Sequence, residues 1–304
     1  MPSAAESVDV AAVIVTYNSE RHVGTLLDGL PAALGSLTYS VVVVDNGSSD
    51  GTLALLEGRD DVVVVRSVND GFAAGVNRAV RHSPLSSAVL VINPDATLDP
   101  DAVPLMREVQ ERTGAGVVAP RVREADGSLS SSLRRRPTLA RVGGLSFTGL
   151  PAFAERVDDP REYAAEHPVD WVMGAIMLID RRCYDELDGL DESYFLYSEE
   201  TEFCLRAGDA GWPTVYTPRA GAMHVGGGSG ESATTHAMQV VNRVRVYRRL
   251  SGDLRAWLYL VGCVLVELRR GLLGRPESWV AIRALLRPAL RPPQIGASGS
   301  LLPM

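Results

Sequence analysis

The chain contains no lysine, and all 30 of its basic residues are arginines. A P-loop uses a lysine at the nucleotide phosphates, so the G-x-x-x-x-G-K-[ST] pattern is excluded. Glycine is also missing from the turn after the first predicted strand, Thr16-Tyr17-Asn18-Ser19-Glu20. A dinucleotide-binding fold carries G-x-G-x-x-G at that turn. These absences disfavour a P-loop enzyme and a nicotinamide-dependent dehydrogenase, and leave other modes of nucleotide binding open.

Cysteines and long apolar runs are scarce as well. The three cysteines, Cys183, Cys204 and Cys263, form no even-numbered framework, so we expect a reducing compartment. The N-terminal stretch MPSAAESVDV lacks the basic and apolar regions of a secretory signal. No run approaches the roughly 20 apolar residues of a membrane-spanning helix. We therefore expect a cytoplasmic protein.

Acidic charge dominates most of the chain, but its C-terminal part is basic. The net charge is −7, yet residues 243–291 hold eleven arginines against three acids, a local balance of +8. A basic segment on an acidic body is expected to meet an anionic partner. Nucleic acid is disfavoured because the segment lacks a compact basic run or an RNP-type signature. An anionic membrane surface is the remaining candidate.

The hydrophobic pattern predicts an α/β fold. Runs rich in Val and Ile predict buried strands at 10–15, 40–45, 61–66, 88–93 and 116–120, with helices between most of them. Such a pattern is typical of a mostly parallel sheet with helices on both faces. An irregular connection follows over 121–168, and connections of this kind often border a site in α/β enzymes. It includes the arginine-rich stretch Ser132–Pro137 (SLRRRP).

Beyond this connection, a strand is predicted over 170–182, with Gly174 inside it, and a helix from about Ser198. An interior glycine often marks a close approach of backbone or ligand.

Polar turns follow four of the predicted strands. They are Thr16-Tyr17-Asn18, the run from Asp45-Asn46 to Thr52, Asn69-Asp70-Gly71 and Asn93-Pro94-Asp95. Turn chemistry alone would favour Gly, Asn and Asp at these places. Ligands of open α/β sheets, however, bind outside the carboxyl ends of the strands. We therefore predict a cleft at this edge, where Asp45 could hold a ribose or a base edge.

Asp95 is a candidate metal ligand. Mg²⁺ and Mn²⁺ take hard oxygen ligands, often one or two carboxylates together with substrate phosphates. A capped turn explains this residue equally well. His224 is followed closely by Gly226–Gly228 and Ser229, whose backbone could approach an anion or form the hinge of a loop. Its imidazole could ligate a metal or donate to a phosphate.

Two adjacent acids, Glu199 and Glu200, begin a predicted helix. Neighbouring helical side chains point about 100° apart, so one of the two can face a cleft. Three aromatic residues just before them, Tyr194, Phe195 and Tyr197, would partly desolvate a carboxylate and make it a better base. A favourable interaction with the helix dipole is the alternative explanation.

The basic tail carries two apolar helical segments, Trp257–Val266 (WLYLVGCVLV) and Glu277–Leu286 (ESWVAIRALL), among arginines. Tryptophan and arginine together suit the plane of a membrane interface. Packing against the body or against a second subunit, as a homodimer through the C-terminal helices, is an equal alternative.

Seven stretches together resemble glycosyltransferase family 2, and within it the bacterial rhamnosyltransferase-like branch. They are AAVIVTYNS, VVVVDNGSSDGT, NDGFAAGVNRA, VINPDATL, WVMGAIMLIDR, DESYFLYSEETEFCLRA and MHVGGGS, which cover roughly residues 8 to 250. Each is modest in specificity, but seven in the right order make the resemblance strong. It implies a GT-A fold, which is a Rossmann-like, nucleotide-binding, mostly parallel sheet flanked by helices.

The resemblance assigns roles to individual residues. It implies that Asp45 holds the base and that Thr16, Tyr17, Asn18, Asn46, Asn69, Gly71, Phe72, Asn77 and Asn93 lie at the donor. The last Asp of the family's metal motif, Asp-x-Asp, corresponds to Asp95, with Asn93 in the first position. The family's Glu-Asp pair corresponds to Glu199-Glu200, and we expect Glu200 to be the base, with Glu199 as the other candidate. Trp171 and Gly174 would line the acceptor side.

The implied reaction is an inverting, metal-dependent transfer of a sugar from a nucleotide diphosphate donor, with Mn²⁺ or Mg²⁺ as cofactor. Our first choice is L-rhamnose from dTDP-rhamnose, passed to a glycan or polyprenyl-linked acceptor in cell-wall or surface polysaccharide synthesis. A UDP-hexose donor, another nucleotide-sugar enzyme such as a nucleotidyltransferase, and a catalytically silent carbohydrate-binding module are the alternatives. The implied location is the inner face of the plasma membrane.

The expected organisation has three parts. Residues 1–242 form the GT-A domain, with a donor half at about 8–120 and an acceptor half at about 165–242. A basic, apolar helical tail covers 243–291, and residues 292–304 are expected to be disordered.

Overall fold

The computed structural model describes residues 7–145, 148–226, 232–296 and 299–304. The strands in this part of the chain are β1 (Val8–Thr16), β2 (Tyr39–Asp45), β3 (Val63–Arg66), β4 (Ser86–Ile92), β5 (Ala96–Leu98), β6 (Val117–Arg123), β7 (Leu133–Arg134), β8 (His167–Val169), β9 (Trp171–Val172), β10 (Ile176–Asp180) and β11 (Thr214–His224). The α-helices are α1 (Val23–Leu34), α2 (Thr52–Glu57), α3 (Phe72–His82), α4 (Ala102–Thr113), α5 (Leu139–Val142), α6 (Arg181–Glu186), α7 (Glu199–Asp209), α8 (Ala233–Ser251), α9 (Asp253–Leu272) and α10 (Glu277–Leu286). Short 3₁₀ helices lie at Pro151–Phe153, Pro160–Tyr163, Pro288–Leu290 and Pro293–Ile295.

The central sheet has nine strands in the order β3-β2-β1-β4-β10-β6-β11-β5, with β8 paired to β11. Its first four strands are parallel to one another. The β-branched runs of β1, β2 and β4 are buried on both faces, because two apolar clusters cover the sheet from opposite sides, whereas the edge strand β3 is partly exposed. Since neighbouring parallel strands end at the same edge, the predicted gathering of the four polar turns at one edge is confirmed.

Helix α3 approaches β1 closely at Gly75. A Cβ atom added there would lie 2.8 Å from both γ-carbons of Val15, so the position has no room for a side chain. This close packing fixes the N-terminus of α3, and with it Gly71 and Phe72, at the carboxyl edge of the sheet.

The second half of the sheet is mixed. Strand β10 runs antiparallel to both β4 and β6, whereas β11 runs parallel to β6 and antiparallel to β5. The single strand expected over 170–182 is split into β9 and β10, and helix α6 begins at Arg181. The residues between β9 and β10 include Gly174, whose backbone contacts α7. The interruption therefore lies where the chain passes the first turn of α7.

The C-terminal helices form a third apolar cluster together with the end of the chain. Helix α8 runs without a break from Ala233 to Ser251, so the boundary expected at 242/243 falls inside one helix. Within the segment 292–304, which is expected to be disordered, Ile295 and Leu302 are buried against the C-terminal helices. Their apolar side chains have a surface on which to pack, which a composition-based reading of a Pro/Gly/Ser-rich end does not reveal.

Candidate active site

The first two polar turns are held together by Asp45. Its carboxylate accepts hydrogen bonds from Thr16 Oγ1 at 2.9 Å and from Ser48 Oγ at 2.5 Å and Ser48 N at 3.0 Å. Asn18 adopts a positive φ of 54° and accepts a bond from Ser49 N at 2.8 Å. Asp45 is only 2% exposed, while Tyr17 beside it is 53% exposed. The first two turns thus carry an exposed aromatic ring and a buried carboxylate.

The third turn connects the donor half to the segment before α7. Asn46 Nδ2 donates to Gly71 O at 3.1 Å, and Asn69 Oδ1 accepts from Gly71 N at 3.3 Å. Gly71 has a φ of 102°, and an added Cβ there would lie 2.4 Å from Phe195 O. Phe72 N donates to the same carbonyl at 2.8 Å. Gly71 therefore permits a direct backbone contact between the two halves of the domain.

The fourth turn brings Asp95 to His224. Strand β5 pairs with β11 so that Ala96 lies opposite His224, and His224 Nε2 is 3.1 Å from Asp95 Oδ1. Burial opposes ionisation of Asp95, but the hydrogen bond and charge of His224, with a smaller contribution from His22, outweigh it and lower the pKa of Asp95 below its ordinary value. Asn93 N donates to Ala175 O at 2.8 Å, which ties this turn to the residue after Gly174.

The donor set around Asp95 fits a divalent cation. An ionised carboxylate beside an imidazole nitrogen provides oxygen and nitrogen ligands that suit Mn²⁺. Among the described residues, no cluster of three or more His, Cys, Asp or Glu side chains forms a closed cage. A metal at this place would therefore need further ligands from the substrate. Of the glycine-rich segment after His224, Gly227, Gly228 and Ser229 lie outside the described residues.

Glu199 and Glu200 begin α7 behind a strained turn. Tyr197 and Ser198 both adopt a positive φ, of 66° and 78°, which is uncommon for non-glycine residues. Helix α8 holds this turn, since Asn242 Nδ2 donates to Leu196 O at 3.1 Å and to Tyr197 O at 2.9 Å. The strain just before the two glutamates is thus maintained by contacts from another helix.

Arg245 provides the second brace. Its guanidinium donates to Ser193 O at 3.0 Å and to Ser193 Oγ at 2.8 Å, and it lies 4.4 Å from the centre of the Tyr194 ring. Sequence reasoning missed both Asn242 and Arg245, because it placed the end of the domain between them. An Asn and an Arg spaced three residues apart among the valines of one helical segment were the available signal.

The two glutamates differ in their electrostatic environments. Burial raises the pKa of Glu199 well above its ordinary value, and the charge of Glu200 adds to this shift. Burial also raises the pKa of Glu200, but hydrogen bonds from backbone groups at the start of α7 and the charge of Arg134 oppose it. One Oε2 atom on each side chain is buried and has no partner among the described residues. Glu200 is therefore the carboxylate that ionises first, and Glu199 retains its proton longer.

Gly174 lies directly against Glu200. A Cβ added to Gly174 would be 3.1 Å from Glu200 Cβ and 3.3 Å from its Cγ. Trp171 is only 8% exposed, and its Nε1 donates to Arg135 O at 3.1 Å. The Arg134 guanidinium lies 5.8 Å from the centre of the Trp171 ring, across the β7–β9 pair. Sequence reasoning noted Arg134 only as part of SLRRRP; an arginine run inside an irregular connection was the signal.

Asn77 is the one predicted donor residue that the structure does not bring to this edge. Its Oδ1 accepts from Tyr184 Oη at 2.6 Å and from Leu190 N at 3.0 Å, and its Nδ2 donates to Leu190 O and Glu192 Oε1. It lines a separate polar cavity of about 660 Å³ together with Arg81, Tyr184 and Leu190. Its amide thus anchors the 189–192 segment to α3.

Contacts link several of the other predicted residues. Asn18 and Ser49 link the first and second turns, Asn46 and Gly71 the second and third, and Gly71 reaches Phe195. On the other side, Asn93 N donates to Ala175 O, and the preceding residue, Gly174, contacts Glu200. Asp95, the half-buried Glu200 and the exposed ring of Tyr17 therefore lie at one edge of the sheet.

The chain is similar to known proteins in both sequence and fold. The model of "Glycosyltransferase like family 2" matches residues 8–248. The chain is 31% identical over 238 residues to the N-acetylglucosaminyl-diphospho-decaprenol L-rhamnosyltransferase of Mycobacterium tuberculosis, which covers 71% of this chain and 76% of that protein. It is also 31% identical over 204 residues to the low-salt glycan biosynthesis hexosyltransferase Agl10 of Haloferax volcanii, covering 66% of this chain and 61% of that protein.

Among solved structures, the mannosyltransferase PcManGT from Pyrobaculum calidifontis, in complex with GDP-Man and Mn²⁺, aligns with a TM-score of 0.57. The alignment covers 99% of this chain and 86% of that one at 16% identity, so it speaks for the shared fold alone.

Proposed function

Since the chain belongs to glycosyltransferase family 2 and has a GT-A fold, we propose that it transfers L-rhamnose from dTDP-rhamnose to a hydroxyl of a lipid-linked glycan. The rhamnosyltransferase of Mycobacterium tuberculosis, whose name specifies a diphospho-decaprenol acceptor, supports this choice of sugar and acceptor. The product would enter cell-wall or surface polysaccharide synthesis.

The pair Glu199–Glu200 is the observation that carries the proposal. A transferase that inverts configuration by single displacement needs a base at the acceptor hydroxyl and no nucleophile of its own. Burial raises the pKa of both carboxylates, and the charge of Glu200 raises the pKa of Glu199 further, so Glu200 ionises while Glu199 is still neutral. A desolvated carboxylate that packs against Gly174, and whose Oε2 has no partner among the described residues, suits that role.

In the proposed reaction, Glu200 removes the proton of the acceptor hydroxyl. The hydroxyl oxygen forms the new bond to the anomeric carbon from the face opposite the diphosphate. The bond from that carbon to the diphosphate oxygen breaks, and the nucleoside diphosphate leaves with the electron pair. The configuration at the anomeric carbon is inverted, and the transition state has oxocarbenium character.

Asp95 and His224 would hold the divalent metal of this reaction. The bound ion would neutralise charge on the departing diphosphate. Tyr17, which is largely exposed, and Asp45 would flank the nucleotide at the neighbouring turns.

Replacing Glu200 tests the function. We expect Glu200→Gln to lower kcat by about 10²–10⁴-fold while the affinity for the donor is retained, because a positioned base contributes that much. Glu199→Gln is the matched control, and we expect a much smaller loss. Transfer at near wild-type rates in Glu200→Gln, with a large loss in Glu199→Gln, would move the base to Glu199. Near wild-type rates in both variants would contradict the mechanism.

The donor is tested by a panel of nucleotide sugars. Thermal stabilisation in the presence of Mn²⁺ should be largest with dTDP-rhamnose, because a bound ligand raises the melting temperature by mass action. Stabilisation by UDP-hexoses alone would instead favour hexosyl transfer, the activity named in the Haloferax volcanii relative.

A further inference from the structure

The outward face of α9 carries a continuous apolar stripe. Its six members, spaced alternately by four and three residues, are Leu254, Leu258, Val261, Leu265, Leu268 and Leu272. Each is between 38% and 80% exposed. At about 100° per residue they fall within an arc of roughly 80°. The opposite face of the helix, which includes Tyr259 and Cys263, packs into the C-terminal cluster. The stripe is therefore separate from the face that stabilises the fold.

The two edges of the stripe have different chemistry. Trp257, 41% exposed, lies along one edge. Arg255 and Arg269, both exposed, lie along the other edge. The acids of α9 are engaged elsewhere: Asp253 is bound by Arg248 at 2.7 Å, and the buried Glu267 is bound by His236 at 2.8 Å. The exposed charge beside the stripe is thus positive.

No helix in the described part of the chain is long and apolar enough to cross a membrane. The stripe is instead narrow and one-sided, as in helices that lie in the plane of a bilayer interface. A second copy of this chain is a poorer occupant, because an antiparallel pairing of two α9 helices would set Arg255 and Arg269 against each other. Like charges at the edges of a helix pair disfavour its formation.

We propose that the stripe on α9 docks the protein on a bilayer that contains anionic lipid. The six aliphatic side chains enter the acyl boundary, Trp257 lies at the headgroup level, and Arg255 and Arg269 contact anionic headgroups. This docking is independent of the identity of donor and acceptor.

The contacts of α9 indicate which part of the protein would lie next to the bilayer. Gly262 on α9 contacts Val142 of α5, and Arg269 Nη1 donates to Gly144 O. Helix α5 belongs to the connection that carries Arg134, and Arg134 lies over Trp171 near Glu200. A bilayer on the α9 stripe would therefore adjoin the connection that leads to the acceptor side of the site.

Flotation of the full chain with vesicles tests the proposal. We expect the protein to float with phosphatidylcholine vesicles that contain phosphatidylglycerol and to bind pure phosphatidylcholine vesicles much less. Leu258→Glu/Leu265→Glu should lower the partition coefficient by about tenfold or more. The matched control is Leu55→Glu/Leu85→Glu, at two leucines of the donor half that are 45% and 68% exposed. We expect this control to float like the wild type.

Both leucines of the stripe variant are more than half exposed, so its melting temperature should match that of the wild type. Equal flotation of the stripe variant and the wild type would overturn the proposal, as would equal binding to the two vesicle types. A concentration-dependent dimer, seen by light scattering and lost in the stripe variant, without any flotation of the wild type, would assign the stripe to a second copy instead. Because flotation measures no transfer, its failure leaves the proposed function untouched.

Discussion

Replacing Gly71 by alanine should shift the proposed base, Glu200, relative to the donor half without changing a reacting group. The new Cβ would lie 2.4 Å from Phe195 O, where ordinary contact begins at 3.4 Å, so the segment before α7 must move by about 1 Å. The φ of 102° also becomes unfavourable for a residue with a side chain. The hydrogen bond from Phe72 N to Phe195 O, 2.8 Å long, is stretched by the same movement.

These costs can be given magnitudes. A backbone with φ 102° and ψ 173° is essentially confined to glycine and costs alanine roughly 1–3 kcal/mol, and a weakened backbone hydrogen bond costs about 0.5–1.5 kcal/mol. We therefore expect Gly71→Ala to lower the free energy of unfolding by roughly 1.5–4.5 kcal/mol, on the sum of these two costs. Glu199 and Glu200 lie only four and five residues after Phe195, so a movement of Phe195 is expected to displace them. A misplacement of about 1 Å at a catalytic group can cost on the order of 10²-fold in rate.

The assay combines thermal unfolding with the measurement of kcat, and Gly208→Ala is the matched control. Gly208 lies on α7 itself, is exposed, and has no atom within 4 Å of an added Cβ. Alanine there should stabilise the protein by about 0.4–1 kcal/mol and leave kcat unchanged. A Gly71→Ala variant with the stability and kcat of Gly208→Ala would refute the role of the Gly71–Phe195 contact.

Two further predictions concern single carboxylates. Because the pKa of Glu199 is raised in the folded state, its protonated form stabilises the fold at low pH and that stability is lost as the pH rises through the folded pKa. Glu199→Gln should thus have a higher free energy of unfolding than the wild type only at higher pH, by about 1.4 kcal/mol for each tenfold by which folding tightens proton binding to Glu199. A pH-independent difference in urea titrations would contradict this. Asp95→Ala should lose at least about tenfold in Mn²⁺-dependent affinity for dTDP by calorimetry. Asp99→Ala, which removes the partner of Arg123, should keep that affinity, and unchanged binding in Asp95→Ala would remove Asp95 from the metal site.

Local patterns were sufficient for the donor half of the fold. The Val-rich runs that form β1, β2 and β4 are continuous and bounded by turn residues, so strand, turn and sheet edge all follow from neighbouring residues. The resemblance added the roles of Asp95 and Glu200. From the residues alone, a capped turn explained Asp95 equally well, and a favourable interaction with the helix dipole was an alternative explanation for Glu200.

Contacts between distant parts of the chain could not be predicted in the same way. The antiparallel insertion of β10 between β4 and β6 depends on pairings across tens of residues, which no local period encodes. Asn77 was placed at the donor, but its partners Tyr184 and Leu190 lie more than one hundred residues away in sequence. The contact of Gly174 with Glu200 is likewise a product of the fold, although the interior glycine had pointed to a close approach.

The hydrogen bonds of Arg245 link two regions that are far apart in sequence. The same guanidinium that holds Ser193 also donates to Met304 O at 2.5 Å, so the segment before the base and the last residues share one side chain. A substitution near Leu302 or Met304 would thus change the effect of a second substitution near Tyr194 or Glu199. Directed-evolution libraries of this chain should show epistasis between these two regions, even though neither of them lies on the β1–β4 strands that carry the donor turns.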